Sequence, residues 1–484
     1  RDCTFYCAID SHRHFDINTV PDLAGNLEKA FDAIRPEWAK VAKELGHNPS
    51  AILAHMPACA ANASDFGLML AWSKLIGDWG RENTSIHVVC DDPWLFRHLR
   101  EIPGVKSERP PLLWAKSLKF FLRGYGARMR AMVRHVFARL SLPRPSVTGG
   151  AVLLVYGHPD STADGADAYF GDLINRIGNL TRVLHIDCRR SRANGLASPT
   201  TSALHAWGPA GKLFKLPFAK WRPNKQHLKG PYGWLIRRAA AHEGGTGQGA
   251  MIAWQLACQE SWLAGATPKV VAWPWENHSW ERAFVRSAHA LGIHTVGYQH
   301  TVVGNREWNY LPDSNPDGID SLPAQILTSG AESADTLKNA GIPADRIEVG
   351  GALRATTIDV LPHDPEGPVF VALPFDHAIA AQMIDAIGKL KGSDRRFIVK
   401  SHPMTPSQFR ESEIIEKTNL PLNQQTGVSG VIYAATTVGL EALLGGLPTL
   451  RFRPSGKVPT DVIPTTLNVA SADSTELESA FRSL

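Results

Sequence analysis

The chain has 484 residues, of which 44% are hydrophobic and 20% are charged, and its formal net charge is +5. This length exceeds one ordinary hydrophobic core, and this composition is that of a globular protein, which excludes a disordered chain and predicts two or three domains. The sequence has no apolar run of about eighteen residues, which excludes a membrane-spanning helix.

The cysteines predict a reduced, cytoplasmic protein. They lie at positions 3, 7, 59, 90, 188 and 258 and show no paired spacing. Cys3, Cys7, His12 and His14 offer zinc ligands, but Cys3 and Cys7 would share the buried face of one strand, so we interpret them as core thiols. Because the chain begins with Arg1 rather than Met and shows no signal-peptide core, we expect a trimmed chain located in the cytoplasm.

The first predicted unit, residues 1–108, has the pattern of a small α/β domain. Apolar runs predict strands at 3–9, 51–56 and 85–90, and helical spacing covers 22–45 and 68–82. Asp91 and Asp92 follow the third run and precede Pro93. They can face a site, but Asp before Pro is equally typical of a helix start.

The second predicted unit, residues 109–147, is a basic amphipathic helix with a break expected near Gly124 and Gly126. Its apolar residues recur at steps of three and four: Trp114, Leu118, Phe121, Leu122, Tyr125, Met129, Met132, Val133, Val136, Phe137 and Leu140. Basic residues fill much of the remainder, with no acidic residue. Such a helix lies at an anionic membrane surface, or packs its apolar face on protein. We favour the membrane because no acids compensate the charge.

The third predicted unit, residues 148–355, alternates strand-like and helical segments and therefore predicts a parallel, doubly wound sheet. The predicted strands cover 151–157, 182–187, 270–275, 294–300, 324–330 and 346–351, and the predicted helices cover 168–177, 280–291 and 333–340. A basic insertion lies between 187 and 243. Because the whole chain is less basic than a nucleic-acid binder, we predict no nucleic-acid partner and assign an anionic membrane surface to 109–145 and 212–238.

The fourth predicted unit, residues 364–484, is a second parallel α/β domain that follows a proline-rich linker. Its predicted strands cover 369–374, 397–403, 421–424, 430–435 and 448–452. The fold class is therefore α/β, with two doubly wound Rossmann-like domains, an N-terminal α/β extension and a basic helical insertion.

Two polar turns in this last domain predict an anion site. One apolar run ends at Lys400-Ser401-His402-Pro403, and another ends at Thr436-Thr437 before Gly439 and a helical pattern. Both read as buried strands that lead to a helix start, where unpaired N–H groups and the helix dipole favour an anion. Small residues at the second turn would let the backbone approach a phosphate. An ordinary Ser/Thr helix cap is the alternative interpretation.

These two turns resemble the bacterial GT-B glycosyltransferases that use CMP-activated acidic sugars, the sialyl- and Kdo-transferases of capsule and lipopolysaccharide synthesis. The resemblance covers the last quarter of the chain, and the segments at 273–284 and 297–300 are similar to surface-carbohydrate biosynthesis proteins. It implies that His402, Pro403, Thr436 and Thr437 bind the nucleotide monophosphate. It also implies a nucleotide sugar, CMP-linked, as substrate rather than a bound cofactor.

Departure of the phosphate is expected without a metal, because the chain contains no Asp-x-Asp motif. Helix N-termini and cations must then stabilise the leaving group. Besides the two turns, we assign Arg354 to the nucleotide from the hinge and Glu441 to a ribose hydroxyl. Surface salt bridges are the alternative for Lys400 and Arg354, and a solvated acid near a helix dipole is the alternative for Glu441.

The general base is expected at strand ends of the third unit. Glu276 follows a predicted strand between tryptophans, which predicts a raised pKa, and His278 or His300 is its expected partner. The alternative is that Glu276 caps the helix starting near Ser279. Asp160, at another strand end, is a second candidate base. The acidic pair typical of the resembling families is only partly matched here.

The leading hypothesis is a metal-independent, inverting transferase. It moves an acidic sugar of the Kdo or nonulosonic acid class from a CMP donor to a surface polysaccharide or lipid-linked glycan at the inner membrane. One alternative is a nucleotide-sugar epimerase or hydrolase of the same fold. Another is a non-catalytic polysaccharide-assembly protein. The basic helix disfavours the soluble epimerase, and the presence of His402 and Thr436 disfavours a dead enzyme.

Overall fold

The computed structural model describes residues 5–10, 18–82, 84–142, 150–353, 360–390, 395–403, 405–464 and 467–482. Within this part of the chain, the paired strands form three sheets, and every pairing between strands is parallel. Parallel neighbours need a crossover between them, which is why strands and helices alternate along the sequence. The predicted α/β class, with two doubly wound domains, an N-terminal α/β extension and a basic helical segment, is confirmed.

The N-terminal extension holds a three-stranded sheet. Its strands are β1 (Phe5–Ile9), β2 (Asn18–Thr19) and β3 (Ile86–Cys90), with β1 in the centre. Its helices are α1 (Leu23–Ala33), α2 (Arg35–Gly46), α3 (Phe66–Arg81) and α4 (Pro93–Leu99). Asp92 caps α4 by accepting the backbone N–H groups of Trp94 and Leu95, so its interpretation as a helix start is confirmed.

The strand predicted at 51–56 is wrong. Residues Ala51–Leu53 form a 3-10 helix, and the chain then turns, with the carbonyl of His55 accepting the N–H groups of Ala58 and Cys59. Pro57 lies inside this turn and has no N–H to give to a sheet.

The cysteines in the described part of the chain, Cys7, Cys59, Cys90, Cys188 and Cys258, are all free and buried. The interpretation of these five cysteines as core residues is therefore confirmed. The other three members of the imagined zinc cluster, Cys3, His12 and His14, lie outside the described residues.

A single helix, α5 (Leu113–Ser141), occupies the predicted basic segment. It is not broken at Gly124 or Gly126. Gly124 instead allows a close approach, since a Cβ at this position would lie 1.8 Å from the carbonyl oxygen of Gly244. The buried Arg128 side chain donates to that carbonyl and to the carbonyl of Pro217. One face of α5 is therefore fixed on the protein through a glycine and polar side chains.

The middle domain holds a seven-stranded sheet in the order β10-β9-β8-β7-β4-β5-β6. Its strands are β4 (Ala151–Val155), β5 (Leu180–Leu184), β6 (Thr201–Ala203), β7 (Val270–Pro274), β8 (His294–Gln299), β9 (Gln325–Thr328) and β10 (Ile347–Val349). Its helices are α6 (Leu173–Arg176), α7 (Arg190–Leu196), α8 (Ala210–Leu213), α9 (Gly233–Gly244), α10 (Gln248–Ala266), α11 (Ser279–Ala290) and α12 (Ala331–Asn339). The helix predicted at 168–177 is only the single turn of α6, and β6 was not predicted.

The C-terminal domain holds a six-stranded sheet in the order β13-β12-β11-β14-β15-β16. Its strands are β11 (Val369–Ala372), β12 (Phe397–Lys400), β13 (Ile415–Thr418), β14 (Gly430–Tyr433), β15 (Thr449–Phe452) and β16 (Ala470–Ala472). Its helices are α13 (His377–Gly388), α14 (Val438–Leu444) and α15 (Leu477–Arg482). The strand predicted at 421–424 is wrong, because Leu422–Gln424 is a 3-10 helix behind Pro421 and the edge strand lies earlier, at β13.

The buried hydrophobic clusters do not follow the predicted domain boundaries. Trp221, Trp234 and Leu235 belong to the same buried cluster as Trp38 and Trp94 of the N-terminal extension. The prediction that 212–238 contacts a membrane is therefore wrong for most of its apolar residues, which are core. Only Phe214 and Phe218, at 77% and 61% exposure, are large apolar side chains exposed within the described part of this segment.

Ion pairs join the C-terminal domain to the N-terminal extension. Arg451 pairs with Glu28 at 2.7 Å, and Arg453 pairs with Asp22 at 2.8 Å. These contacts fix the C-terminal domain to the N-terminal extension. Among the described helices, none combines the length and the apolar character that a bilayer crossing requires.

Candidate functional site

Both large sheets reverse their winding direction near the centre. In the middle domain the chain runs outward from β4 to β6 and returns beside β4 as β7, and in the C-terminal domain it runs from β11 to β13 and returns beside β11 as β14. In open α/β sheets the ligand crevice opens beyond the carboxyl ends of the strands at this switch point. The residues that follow β4, β7, β11 and β14 are therefore the first candidates for a site.

The turn after β7 carries Glu276 and is strongly constrained. Asn277 has a left-handed backbone with φ of 55°, and its side chain donates to the carbonyl of Asn309 at 2.7 Å. The side-chain amide of Asn309 donates back to the carbonyl of Glu276. A non-glycine residue held at positive φ stores strain of about 1–3 kcal/mol and is typical of functional turns.

Glu276 is linked to a histidine and a cysteine. Its Oε2 atom lies 2.8 Å from His278 Nε2, and His278 Nδ1 lies 3.2 Å from the sulfur of Cys59. The Glu276 side chain keeps 44% of its surface exposed, whereas Cys59 is 2% exposed. The carboxylate is therefore partly exposed, and the imidazole connects it to the loop before α3.

The raised pKa predicted for Glu276 is wrong in sign. Burial would raise the pKa of Glu276, but the hydrogen bond and the charge of His278 outweigh it and lower the pKa to about 2. Burial alone would lower the pKa of His278, but the Cys59 sulfur and the Glu276 carboxylate raise it well above its usual value. Trp273 and Trp275 are fully buried in the core.

Glu276 does not cap helix α11, because His278 is the N-cap residue and Glu281 completes a capping box with it. Glu281 accepts the backbone N–H groups of Glu276 at 3.0 Å and His278 at 2.6 Å, and the indole N–H of Trp273 at 2.8 Å. Burial raises the pKa of Glu281 to about 7. The competing interpretation of Glu276 as a cap is therefore wrong. The Glu276 side chain pairs with His278 instead.

His300 and Asp160 follow the strands on either side of β7. His300 follows β8 and packs edge-on against Tyr169 with ring centroids 5.0 Å apart, and its charge contributes to the low pKa of Glu276. Asp160 follows β4 and lies 3.6 Å from His158, with 82% of its side chain exposed. The structure brings Glu276, His278 and His300 together and leaves Asp160 exposed beside His158.

Glu307 is a second acid near Glu276. Its two oxygens accept the side-chain N–H of Asn62 at 2.8 Å and the backbone N–H of Gly304 at 3.0 Å. Burial, with a contribution from the charge of Glu276, raises the pKa of Glu307 to about 7. Glu307 also lines a groove of about 310 Å³ to which Ile463 and Pro464 of the C-terminal domain contribute.

Across the crevice, the first predicted turn follows β12. No helix starts there within 395–403 and 405–412. The prediction of a helix start at this turn is therefore wrong. His402 packs edge-on against Phe375 at 5.7 Å, and burial lowers its pKa.

The second predicted turn follows β14 and does start a helix, α14. Ala435 has a left-handed φ of 47°, and the Thr436 hydroxyl accepts the N–H of Val438 at 3.4 Å. Gly439 is explained by packing rather than by phosphate, since a Cβ there would lie 2.6 Å from the Tyr433 ring. The threonines are therefore the small residues to which the phosphate prediction still applies, and Thr437 is exposed.

The two turns are not side by side, because β11 lies between β12 and β14. The helix start next to β14 is that of α13, where Asp376 accepts the N–H groups of Ala378 and Ile379. All these turns open on one edge of the sheet, and two strand spacings amount to about 10 Å. The prediction that the Lys400 and Thr436 turns are neighbouring helix starts is therefore wrong, and the neighbouring helix starts of this sheet are those of α13 and α14.

Lys400 interacts electrostatically with acids of both domains. Burial lowers its pKa, and the carboxylates of Glu441 and Asp160 oppose that change. One of these acids belongs to the C-terminal domain and the other to the middle domain. Ser401 is half-buried beside Lys400, and its hydroxyl lies 3.5 Å from the carbonyl of Ser407. Arg354 lies outside the described residues.

Sequence reasoning missed several residues of this site: His55, Cys59, Asn62, Glu281 and Glu307. Glu281 stands three residues after His278, which is the capping-box spacing and could have been read. The other four come from the extension and from the segment after β8, and nothing in their local pattern places them beside Glu276. Tertiary packing alone assembles them.

The apolar face of α5 forms a second exposed feature. Its large exposed side chains are Trp114, Leu118, Phe121, Leu122, Tyr125, Val133, Phe137 and Leu140, between 41% and 71% exposed. Phe218 continues this surface, with its ring 6.3 Å from that of Tyr125. The alternative in which the apolar face of α5 packs on protein is therefore wrong for these residues in the described structure.

Neither a protein-family model nor a curated protein matches this chain. Among solved structures, a UDP-N-acetylglucosamine 2-epimerase from Rickettsia bellii is 12% identical, with 62% of this chain and 78% of that chain covered and a TM-score of 0.35. CalG4, the calicheamicin glycosyltransferase, is 11% identical, with 70% and 90% covered and a TM-score of 0.41. HepE from Anabaena, in complex with UDP and glucose, is 10% identical, with 69% and 89% covered and a TM-score of 0.36. These values carry no conclusion about chemistry.

Proposed function

We propose that this protein is a glycosyltransferase that moves a sugar from a nucleotide donor to a hydroxyl of a glycan acceptor. The observation that supports it most is that a carboxylate and an ammonium group follow strand ends of the two large sheets. Glu276, held by His278, follows β7 of the middle domain, and Lys400 ends β12 of the C-terminal domain and interacts electrostatically with Asp160 of the middle domain. A base and a cation are the groups that transfer from a sugar phosphate requires.

In the proposed reaction, Glu276 accepts the proton of the acceptor hydroxyl. The acceptor oxygen bonds to the anomeric carbon while the bond from that carbon to the donor phosphate breaks with inversion, and its electron pair leaves with the phosphate. A carboxylate with a pKa of about 2 is ionised at neutral pH but is a weak base. The proton therefore leaves late, when the bond to phosphate is already largely broken.

Lys400, His402 and the Thr436 hydroxyl are proposed to stabilise the departing phosphate without a metal. They lie at one edge of one sheet, where Lys400 and the helix start of α14 supply positive charge. Ser401, Pro403, Thr437, Gly439 and Glu441 share these turns, and Glu441 remains proposed as a ribose contact. CMP as the nucleotide and an acidic sugar as its cargo are proposed on the resemblance of the Lys400–Pro403 and Thr436–Thr437 turns to the CMP-sugar transferases.

A thermal-shift series with CMP, UMP, UDP and ADP tests the donor. We expect CMP to raise the unfolding temperature most, because a ligand that binds only the folded state stabilises it in proportion to its affinity. Release of CMP from a CMP-sugar only when glycan acceptor is present supports transfer. Conversion of a nucleotide sugar without acceptor indicates an epimerase or hydrolase, and no nucleotide stabilisation at all indicates a non-catalytic assembly protein.

We expect Lys400→Met to weaken nucleotide binding by about 10- to 100-fold, because a charge-assisted hydrogen bond contributes about 1.5–3 kcal/mol. Titration calorimetry with the best-stabilising nucleotide measures the change. Lys389→Met is the matched control, since this lysine is exposed at the end of α13 and pairs only with the exposed Asp385 among the described residues. Equal affinities for both variants would remove Lys400 from the donor site.

We further propose that the acceptor is presented at the cytoplasmic face of a membrane and that α5 binds that surface. The exposed apolar face of α5 is flanked by exposed basic residues such as Lys119, Arg123 and Arg130. Apolar side chains can then enter the headgroup region while each basic residue adds about 1 kcal/mol at an anionic surface. A lipid-linked glycan is the acceptor that this location favours.

We expect the triple variant Phe121→Ser, Phe137→Ser and Phe218→Ser to lose about 100-fold in affinity for vesicles that contain phosphatidylserine. Each side chain is more than half exposed, and its insertion into lipid contributes about 1 kcal/mol. Vesicle co-sedimentation at low salt measures the loss. Leu291→Ser with Leu444→Ser is the control, because both leucines are similarly exposed but lie away from α5. An unchanged triple variant would refute the membrane contact.

A further inference from the structure

His55, Cys59 and His278 form a cluster that the transfer chemistry does not use as a whole. The candidate ligand atoms of these three residues lie within 4.8 Å of one another. The Cys59 sulfur lies 3.2 Å from His278 Nδ1, and the two histidine rings stand edge to face with centroids 5.1 Å apart. Two imidazoles and one thiol converge on a single point from two different segments of the chain.

The spacing fits a tetrahedral metal ion. With Zn–S of about 2.3 Å and Zn–N of about 2.0 Å, tetrahedral zinc holds its ligand atoms about 3.3–3.6 Å apart. The cluster needs only small side-chain movements to reach this geometry. Thiolate and imidazole are ligands that select zinc, whereas magnesium and calcium prefer oxygen.

The far side of each ring has a polar partner. His278 Nε2 lies 2.8 Å from Glu276 Oε2, a carboxylate of the kind that accepts the outer N–H of a ligating imidazole and leaves its other nitrogen for the metal. His55 Nε2 lies 2.9 Å from the amide nitrogen of Gln248, so this amide must turn over to present its oxygen to the outer N–H of a ligating His55. The Nδ1 atom of His55 is buried and has no hydrogen-bond partner among the residues that the structure describes.

The backbone around the cluster is held in place independently of any ion. The Glu243 carboxylate accepts the backbone N–H groups of His55 at 2.8 Å and Met56 at 3.0 Å. The Ser279 hydroxyl donates to the carbonyl of Ala54 at 2.8 Å, which joins the loop to the start of α11. The two segments that carry the ligands are therefore brought together before a metal binds.

We propose that His55, Cys59 and His278 bind one zinc ion, with the fourth position open to water or to a substrate hydroxyl. The site shares His278 with the proposed function but does not depend on it, and it lies on the side of Glu276 rather than at the Lys400 turn. Zinc at Nδ1 fixes His278 as the tautomer with its proton on Nε2, facing Glu276.

Metal analysis of the full-length chain tests the site. We expect about one zinc per chain by plasma mass spectrometry after dialysis against zinc and then against metal-free buffer. Cys59→Ser should lose that zinc, and Cys258→Ser, which changes a buried cysteine of α10 far from the cluster in sequence, should keep it. Cobalt in place of zinc should give a thiolate-to-cobalt charge-transfer band that is absent from Cys59→Ser, which keeps the test valid if zinc content is affected by poor folding.

Three results would overturn the proposal: wild-type protein without bound zinc, equal zinc in both variants, or a Cys59 thiol whose alkylation rate zinc does not change. The last result would instead indicate a thiol paired only with His278. Failure of the site and failure of the proposed function are distinguishable, because zinc content and the cobalt spectrum are measured without any sugar substrate.

Discussion

We expect Glu276→Gln to reduce the turnover number by about 10²- to 10⁴-fold, the range that general-base catalysis contributes. Glutamine keeps the shape of the side chain, and its carbonyl oxygen can still accept the hydrogen bond from His278 Nε2. What is lost is the ability to take a proton. The affinity for nucleotide should remain within about threefold, because Glu276 lies on the opposite side of the crevice from Lys400 and His402.

Glu260→Gln is the control for this prediction. Glu260 is an exposed acid on helix α10, so its change removes one carboxylate from the same domain without touching the crevice. Single-turnover assays with a CMP-sugar, alongside calorimetric titration of CMP, separate the chemical step from binding. If Glu276→Gln turns over at the rate of Glu260→Gln, the base lies elsewhere, and Glu307 and Asp160 become the next residues to change.

The features that were predicted correctly from sequence are those that local patterns decide. Apolar runs such as 270–274 and 369–372 became buried strands of parallel sheets because a strand buried on both faces is apolar throughout. Helix α5 was predicted from its periodicity, and α4 from its Asp-Pro start. The positions of Glu276 and His300 at one edge followed from the shared direction of parallel strands.

The failures have tertiary causes. The pKa of Glu276 was predicted from its tryptophan neighbours in sequence, but Trp273 and Trp275 lie in the core, and the hydrogen bond and charge of His278 outweigh the effect of burial on this pKa. The segment at 212–238 was assigned to a membrane because of its charge and its aromatic residues. Trp221 and Trp234 are instead buried in one hydrophobic cluster with Trp38 and Trp94 of the N-terminal extension. No local pattern records such a partner.

The second large effect concerns the buried ion pairs of Arg238. The guanidinium of this residue on α9 donates to Asp65 at 2.6 and 2.8 Å and to Asp92 at 2.6 Å, and the side chains of Arg238 and Asp92 are 2% and 0% exposed. Burial would raise the pKa of Asp65, but Arg238 keeps it below its usual value. Asp92 also caps α4, so one guanidinium joins α9 to the N-terminal extension.

We expect Arg238→Met to destabilise this part of the protein by about 3–5 kcal/mol, because it leaves the Asp92 carboxylate buried without a counter-charge. A chain of several domains does not unfold in one step, so hydrogen exchange of the α4 and α9 amides is the appropriate measurement. Arg237→Met, an exposed neighbour on α9, is the control. Adding Asp92→Asn to Arg238→Met should restore part of the loss, whereas equal protection in the two single variants would contradict the assignment.

This loss should also reach the crevice. Glu243, near the C-terminal end of α9, accepts the backbone N–H groups of His55 and Met56. His55 belongs to the loop that carries Cys59 beside His278. If α9 loosens, the loop loses its anchor and the orientation of His278 toward Glu276 becomes less defined. Arg238→Met should therefore lower turnover more than Arg237→Met at a temperature where both remain folded, although Arg238 touches neither substrate nor base. Equal turnover would show that the Glu276 turn is held by Asn309 and Glu281 alone.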